Sequence, residues 1–416
     1  MKLLINMCSH DGIVSYYNGV GTMTKRYIKT ISKILDELDY EYELNLFTPE
    51  YFEDSFGYNE ETKLKNANIK NTKIYMINNG SNGKINFGTI SEWKLLCKNT
   101  AKIINDIDYS LYDKVITIYN DTPFANLGKY LKLSDNHKAI LILHSTIKLH
   151  KVDSAIENSE RFYDTRLKWE TEAIDYINKT KNVYAGVIGD FITKHLIEEY
   201  NLNKNKTIKI YNGELGEYKK RNFSKESREL LNKINSNEDV IISFGRAEEY
   251  KNLDKVFILG KELGIKSMLI AQLYYDNQPI KYKYIKCAKK YDGILYLNPP
   301  FDYSANFLND YKGRIICLIP SKIEIMGLII NEVRRLNKDD ILIVANDVNG
   351  LNEQITDQYD GLLVDLNNIK ESANKIKKFF EGNFMKMFNE NSQRTLAHKY
   401  NIEKNMKNFL EKIMEE

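Results

Sequence analysis

Two cations and two carboxylates are the residues of this chain best placed to do chemistry. Arg246 and Lys251 lie five residues apart, just past an apolar run at 240–244. Two cations at the carboxyl edge of a strand can neutralise a diphosphate through charge-assisted hydrogen bonds. Taken singly, they would read as exposed loop charges. Glu324 and Glu332 lie eight residues apart in the run IPSKIEIMGLIINEVRRLNKDDILIVANDVNGLNE, residues 319–353. If Glu324 stands just ahead of a helix, Glu332 follows about two turns along it, roughly 12 Å away. That is too far for an acid/base pair acting on one bond. It suits contacts to the two ends of an elongated ligand. A lone Glu is more often a solvated side chain, but Glu332 sits in the otherwise apolar GLIINEV.

These residues need elements to hold them. The run 315–319 predicts a strand and 341–345 another, with a helix between them that begins near Met326-Gly327-Leu328. A helix N-terminus at the carboxyl end of a parallel strand offers free N–H groups and the positive end of a dipole to a phosphate. Gly327 removes a side chain where that phosphate would approach. The N-terminal half has the same syntax. A strand at 2–7 leads through Gly19-Val20-Gly21 into a helix at 23–38. A tight turn that merely packs helix on strand explains Gly-x-Gly as well as ligand contact does. Further strands are expected at 42–47, 72–77, 114–119, 139–143, 183–188 and 207–211, with helices at 90–107, 161–178 and 191–200, the last N-capped by Asp190. Segments 50–71 and 78–88 read as polar loops. The second half restarts at 240–244, where 251–264 reads as a helix opened by Lys251, and continues with strands at 267–271, 294–297 and 361–364 and a helix at 369–380. His144 directly follows the 139–143 strand and can reach a ligand at that edge. A histidine satisfied by neighbouring backbone is an equal alternative. His10 lies in the first loop. Asp121 reads as a residue facing the sheet edge or as an Asx turn. Lys25, Arg26, Lys29 and Lys33 put a basic patch on the first helix, by default a solvated face.

The pattern Ser321-x-x-Glu324-x-x-Gly327-Leu328, then Glu332, a strand, a Gly loop and Glu353, resembles the donor segment of retaining GT-B glycosyltransferases of the GT4-like group. Gly245-Arg246 followed by Lys251-Asn252 is similar to the family's diphosphate grip. Phenylalanine is usual where this chain has Met326, Gly-x-Pro where it has Lys338-Asp339-Asp340, and Gly-x-Gly-Pro where it has Gln272 to Tyr275. The resemblance implies an α/β GT-B fold, two Rossmann-like domains with parallel sheets facing across a cleft. It places the N-terminal, acceptor-side domain at 1–213 and the donor-binding domain at 214–395. The amphipathic tail, about 396–416, would pack back on the first domain. The implied activity is metal-independent transfer of a sugar, with retention, from a nucleotide diphosphate, most simply UDP-linked, to an acceptor hydroxyl. Glu324 would orient the sugar and Glu332 the ribose. Arg246, Lys251, Gly21, Ser321 and the Met326, Gly327 and Leu328 segment would hold the donor. His144 would help place the sugar near the acceptor. The alternative is a GT-B-like module that binds a sugar nucleotide or a partner without catalysis. A phosphorylase lysine motif is not found, and neither half carries a full G-x-G-x-x-G with the acid of a nicotinamide site.

Composition sets bounds. The chain has 416 residues, 43% of them hydrophobic, which suggests two or three domains with ordinary cores. With 60 basic and 57 acidic residues, net +3, nothing calls for nucleic acid. Cys8, Cys97, Cys287 and Cys317 form no CxxC pair, so a reducing, cytoplasmic setting and no zinc site are expected. Asp339-Asp340 reads as a solvated turn rather than a metal motif. No run reaches the ~18 apolar residues of a spanning helix. Peripheral attachment at the inner membrane face or to a partner protein stays open, as do the acceptor and the oligomeric state.

Overall fold

The computed structural model describes residues 1–83, 87–150, 160–214, 223–234, 237–300, 302–382 and 384–415. Residues 215–222 and 235–236, between the two halves, lie outside them. The chain divides into one unit of Met1–Leu215 with Ile402–Glu416, and a second of Gly216–Asn401.

The first unit is built on seven strands: β1 (Lys2–Cys8), β2 (Glu41–Pro49), β3 (Thr72–Ile77), β4 (Lys114–Asn120), β5 (His137–Ile142), β6 (Val183–Val187) and β7 (Thr207–Lys209), in the order 3-2-1-4-5-6-7. Every pairing is parallel. Helices cover both faces of such a sheet, so its strands are apolar on both sides. Leu3, Leu4, Ile5 and Met7 are accordingly buried without alternation. The strand order reverses between β1 and β4.

The helix Gly19–Glu37 turns Tyr27, Ile28, Ile31, Ile34 and Leu35 inward. On it packs the last helix, Ile402–Glu415, which buries Ile402, Met406, Phe409, Leu410 and Ile413 on one stripe. Lys33 pairs with Glu403 at 2.8 Å, and Lys138 Nζ donates to Ile413 O at 2.8 Å. Arg26 pairs with the buried Glu214.

The second unit has six parallel strands: β8 (Val240–Arg246), β9 (Lys266–Gln272), β10 (Ile294–Leu297), β11 (Ile315–Ile319), β12 (Ile341–Asn346) and β13 (Leu362–Val364), in the order 10-9-8-11-12-13. Here the order reverses between β8 and β11. The hydrophobic core lies on both sides of this sheet.

Several elements differ from expectation. Strand β8 runs on through Gly245 and Arg246, which pair with Ala271 and Gln272. Arg246 therefore ends a strand and does not begin a loop. The next helix starts at Lys255, not Lys251. Glu249–Lys251 forms a 3-10 turn, and Asn252 then takes a left-handed φ of 54° that breaks the helical run. Asp190 is the first helical residue, and Gly189 holds the cap position. Within the polar 50–71 segment lies the helix Glu60–Ala67, which buries only Thr62 and Asn66. It is held by polar bonds: Asn66 Nδ2 donates to Gly12 O at 3.1 Å and Ile13 O at 2.8 Å.

Candidate functional site

Open parallel sheets bind ligands at the carboxyl ends of the strands where the order reverses. In the second unit those strands are β8 and β11, and the predicted residues gather there. Arg246 ends β8. Ser321 and Glu324 follow β11. Lys251 Nζ lies 2.6 Å from Glu324 Oε2, across 73 residues of sequence. Ser321 Oγ donates to the same oxygen at 3.3 Å. Arg246 donates to the Tyr274 hydroxyl and, at 3.4 Å, to that of Tyr250; Glu248 Oε1 is 3.4 Å away. Burial works against the Arg246 charge, but Glu248, Tyr250, Tyr274 and Glu324 outweigh it and raise its pKa. Burial also opposes the charge on Glu248, and Arg246, Tyr250, Lys251 and Tyr274 together overcome it, lowering the pKa of that carboxyl. The result is a cationic centre with carboxylates and phenols around it.

The backbone that carries Glu324 is pinned by three side-chain amides. Asn252 Nδ2 donates to Pro320 O at 3.3 Å, and Asn346 Nδ2 to Ser321 O at 3.1 Å. Gln354, 1% exposed, accepts from Gly327 N at 2.6 Å and donates back to Gly327 O at 3.2 Å. Gly350 adds a close approach. A Cβ there would lie 1.9 Å from Glu324 O, and its φ is +83°. Gly327 thus plays a different part from the one expected. Its N–H, anticipated for a phosphate, goes to Gln354, and a Cβ on it would meet Leu351 at 3.0 Å. Met326 is buried beside it, and Leu328 opens the helix Leu328–Arg335. Glu332 is half-buried further along that helix.

Replacing Gln354 by leucine should leave the Gly327 N–H buried and unpaired, while Gly327 O keeps the Ile330 N–H at 3.1 Å. The expected cost is ~1–3 kcal/mol, visible as a lowered midpoint in urea unfolding. An unchanged midpoint would show that the carboxamide holds nothing.

In the first unit the reversal lies at β1 and β4. Gly21 is bare because the Asp11 carboxylate sits 2.2 Å from where its Cβ would be. Asp11 gathers the loop: it accepts from Gly12 N, Ser15 Oγ, Tyr17 N and Asn18 N at 2.9, 2.9, 3.2 and 3.0 Å. The Gly21 N–H is capped by Asn18 Oδ1 at 3.1 Å. His144 Nε2 lies 3.3 Å from Asn120 Oδ1, at the end of β4. Asp121, next in sequence, is 4% exposed with φ +66° and is the first residue of the short helix Asp121–Phe124, whose N-cap position Asn120 holds. His10 is buried edge-on to Phe87, with ring centroids 5.6 Å apart, and neither ring nitrogen has a hydrogen-bond partner among the described residues.

Buried titratable groups give this unit a pH signature. Burial lowers the His10 pKa to about 3, with His144 and Arg166 adding to the effect. Burial alone takes His137 and His144 to about 4. Such histidines contribute stability above 6.5 that is lost as pH falls toward their folded values. Asp11 and Asp121, raised to about 6 by burial, act the other way: their share is full below 3.8 and lost as pH rises through about 6. Three histidines outweigh two aspartates, so the melting temperature should fall from about pH 7 to about pH 5. His10→Phe should reduce that fall, because the ring contacts persist without a proton site. An undiminished fall in His10→Phe would contradict the assignment.

No protein-family model and no curated protein matches the chain. Solved structures do. Sucrose-phosphate synthase from Thermosynechococcus elongatus superposes with a TM-score of 0.71 at 14% identity, over 99% of both chains. Anabaena HepE in complex with UDP and glucose gives 0.70 at 15% identity, over 100% of both. A glycosyltransferase from Rickettsia africae gives 0.67 at 16% identity, over 100% of this chain and 98% of that one. The fold is GT-B. Within it, the two strand-order reversals fall at β1/β4 and β8/β11, where the residues just described collect. Sequence reasoning about this GT-B chain overlooked Asp11, Tyr274 and Gln354. Only Tyr274 left a signal, as a departure from the usual loop after β9.

Proposed function

We propose that the protein is a retaining, GT4-like glycosyltransferase that moves a sugar from a nucleotide diphosphate, most simply UDP-linked, to an acceptor hydroxyl. The observation that carries this reading is the Arg246, Lys251 and Glu324 cluster at the β8/β11 reversal. The bond between the anomeric carbon and the diphosphate breaks, and its electrons stay on the phosphate oxygen. Arg246 and Lys251 stabilise that charge with fixed donors, in the role a metal plays elsewhere. The acceptor oxygen bonds to the same face of the anomeric carbon, and its proton leaves with the diphosphate. Donor binding transfers Lys251 from Glu324 to phosphate and frees Glu324 for the sugar hydroxyls. Glu332 takes the ribose. Ser321 steadies Glu324, and the Met326 to Leu328 backbone lines the donor, with Gln354 holding Gly327. For the first unit, the family resemblance assigns His144 to the sugar and acceptor and Gly21 to the donor phosphate.

One observation favours a second reading, a module that binds sugar nucleotides without turning them over: the Gly327 N–H is already engaged. Incubation with a panel of nucleotide sugars, with and without EDTA, separates the two. The proposal expects nucleotide release that EDTA leaves unchanged, and a product whose anomeric proton coupling matches the donor's. Tight binding with no release from any donor or acceptor supports the module.

A further inference from the structure

The helix Pro279–Tyr291, PIKYKYIKCAKKY, carries five lysines and no acid. That is a steep local excess in a chain with 60 basic and 57 acidic residues. Its inner face is ordinary: Ile280, Tyr284 and Ala288 are buried in the core of the second unit. Its outer face is not. Tyr282 is 65% and Ile285 42% exposed, and Lys286 and Lys289 are exposed beside them. These four positions follow the spacing of one helical stripe. Two lysines on the flank are neutralised: Lys281 by Asp276 at 2.7 Å, and Lys283 by Asp254 and Glu249 at 2.9 and 3.1 Å. Lys286, Lys289 and Lys290 have no carboxylate partner among the described residues.

The basic patch on the first helix is different. Lys33 pairs with Glu403 and Glu37, Arg26 with Glu214, and Lys25 lies over the Tyr16 ring at 3.9 Å. Its charge is largely compensated within the fold.

We propose that the outer face of the helix Pro279–Tyr291 docks on an anionic lipid bilayer. Unpaired lysines attract the surface potential of acidic lipids, each strengthening binding roughly fivefold. A tyrosine ring and an isoleucine between them match the interface, with the ring at headgroup depth and the alkyl group at the acyl boundary. A single convex stripe suits a flat membrane and offers no groove for a peptide. The exposed stripe shares no residue with the donor cluster and does not depend on its assignment.

The test is flotation of the full chain with phosphatidylcholine vesicles, with and without roughly one-third phosphatidylglycerol, at ~0.1 M salt. Binding is expected only to the anionic vesicles. The Lys286→Gln, Lys289→Gln, Lys290→Gln triple variant should lose roughly a hundredfold in affinity. A Tyr282→Ser, Ile285→Ser variant should lose at least ~10-fold. Lys29→Gln with Lys33→Gln should bind as the wild type does. All the substituted positions are exposed, and matching thermal melts establish that the variants fold. No flotation, equal flotation with neutral vesicles, full binding by the triple variant, or retention on polyglutamate or RNA without vesicle binding would each overturn the proposal.

Discussion

Replacing Lys251 by alanine is expected to cut nucleotide release from the donor roughly 10³-fold, with the fold intact. The ammonium sits 2.6 Å from Glu324 Oε2, and both side chains are mostly buried, at 18% and 15% exposure. A charge fixed in place costs no reorganisation when the leaving diphosphate develops its own charge, so its loss falls mainly on the rate. Lys251→Arg should recover part of it, because a cation returns without the same reach. Glu324→Ala should lose a comparable factor for a different reason: the sugar loses its anchor, and Lys251 loses the partner that holds it ready. Steady-state kinetics separate the two, since Lys251→Ala should lower kcat/KM across donors whatever the sugar. Wild-type turnover in both variants would contradict the site.

The largest expected loss of stability belongs to Asp360. Asp360 Oδ2 and Arg334 Nη2 are 2.8 Å apart, with both side chains 0% exposed. The guanidinium also donates to Gln354 O at 2.7 Å and to Asn331 Oδ1 at 3.2 Å. The carboxylate accepts from Thr356 N at 2.8 Å and from Thr395 Oγ1 at 2.6 Å. Burial pulls the Arg334 pKa down, and Asp360 and Tyr400 push it back. Asp360→Ala strands a buried guanidinium, at an expected cost of ~3–5 kcal/mol. Because Arg334 also holds the backbone of Gln354, the loss should reach the donor loop. Urea unfolding measures it. A change below ~1 kcal/mol would mean that water reaches the guanidinium and the pair is not sealed.

Strands were the most legible part of this chain. Buried parallel strands are apolar on both faces, and runs such as 114–119 and 315–319 are too short for a typical helix and form strands. Helices held by polar contacts were not legible. Met385–His398 buries Asn389, Asn391 and Ser392 alongside only three apolar side chains, Met385, Phe388 and Leu396. Its bonds, such as Asn391 Nδ2 to Tyr359 O at 2.8 Å and Ser392 Oγ to Asp360 O at 2.8 Å, join residues 32 apart. The candidate site divides in the same way. Arg246, Lys251 and Glu324 stand at strand ends or beside a helix start, so local pattern points to them. Gln354 and Asp11 act on backbone and neighbours that only the folded chain brings near, and no periodicity marks them. Gly21 and Gly327 were legible as bare positions. What fills the space was not: the Asp11 carboxylate at one, Leu351 and Gln354 at the other.

A crystal structure of the protein with a bound nucleoside diphosphate tests the central claim most directly. The account predicts phosphate oxygens within hydrogen-bonding distance of the Arg246 guanidinium and the Lys251 ammonium, with Lys251 drawn off Glu324. A diphosphate bound elsewhere, with the Lys251–Glu324 pair still closed, would contradict it.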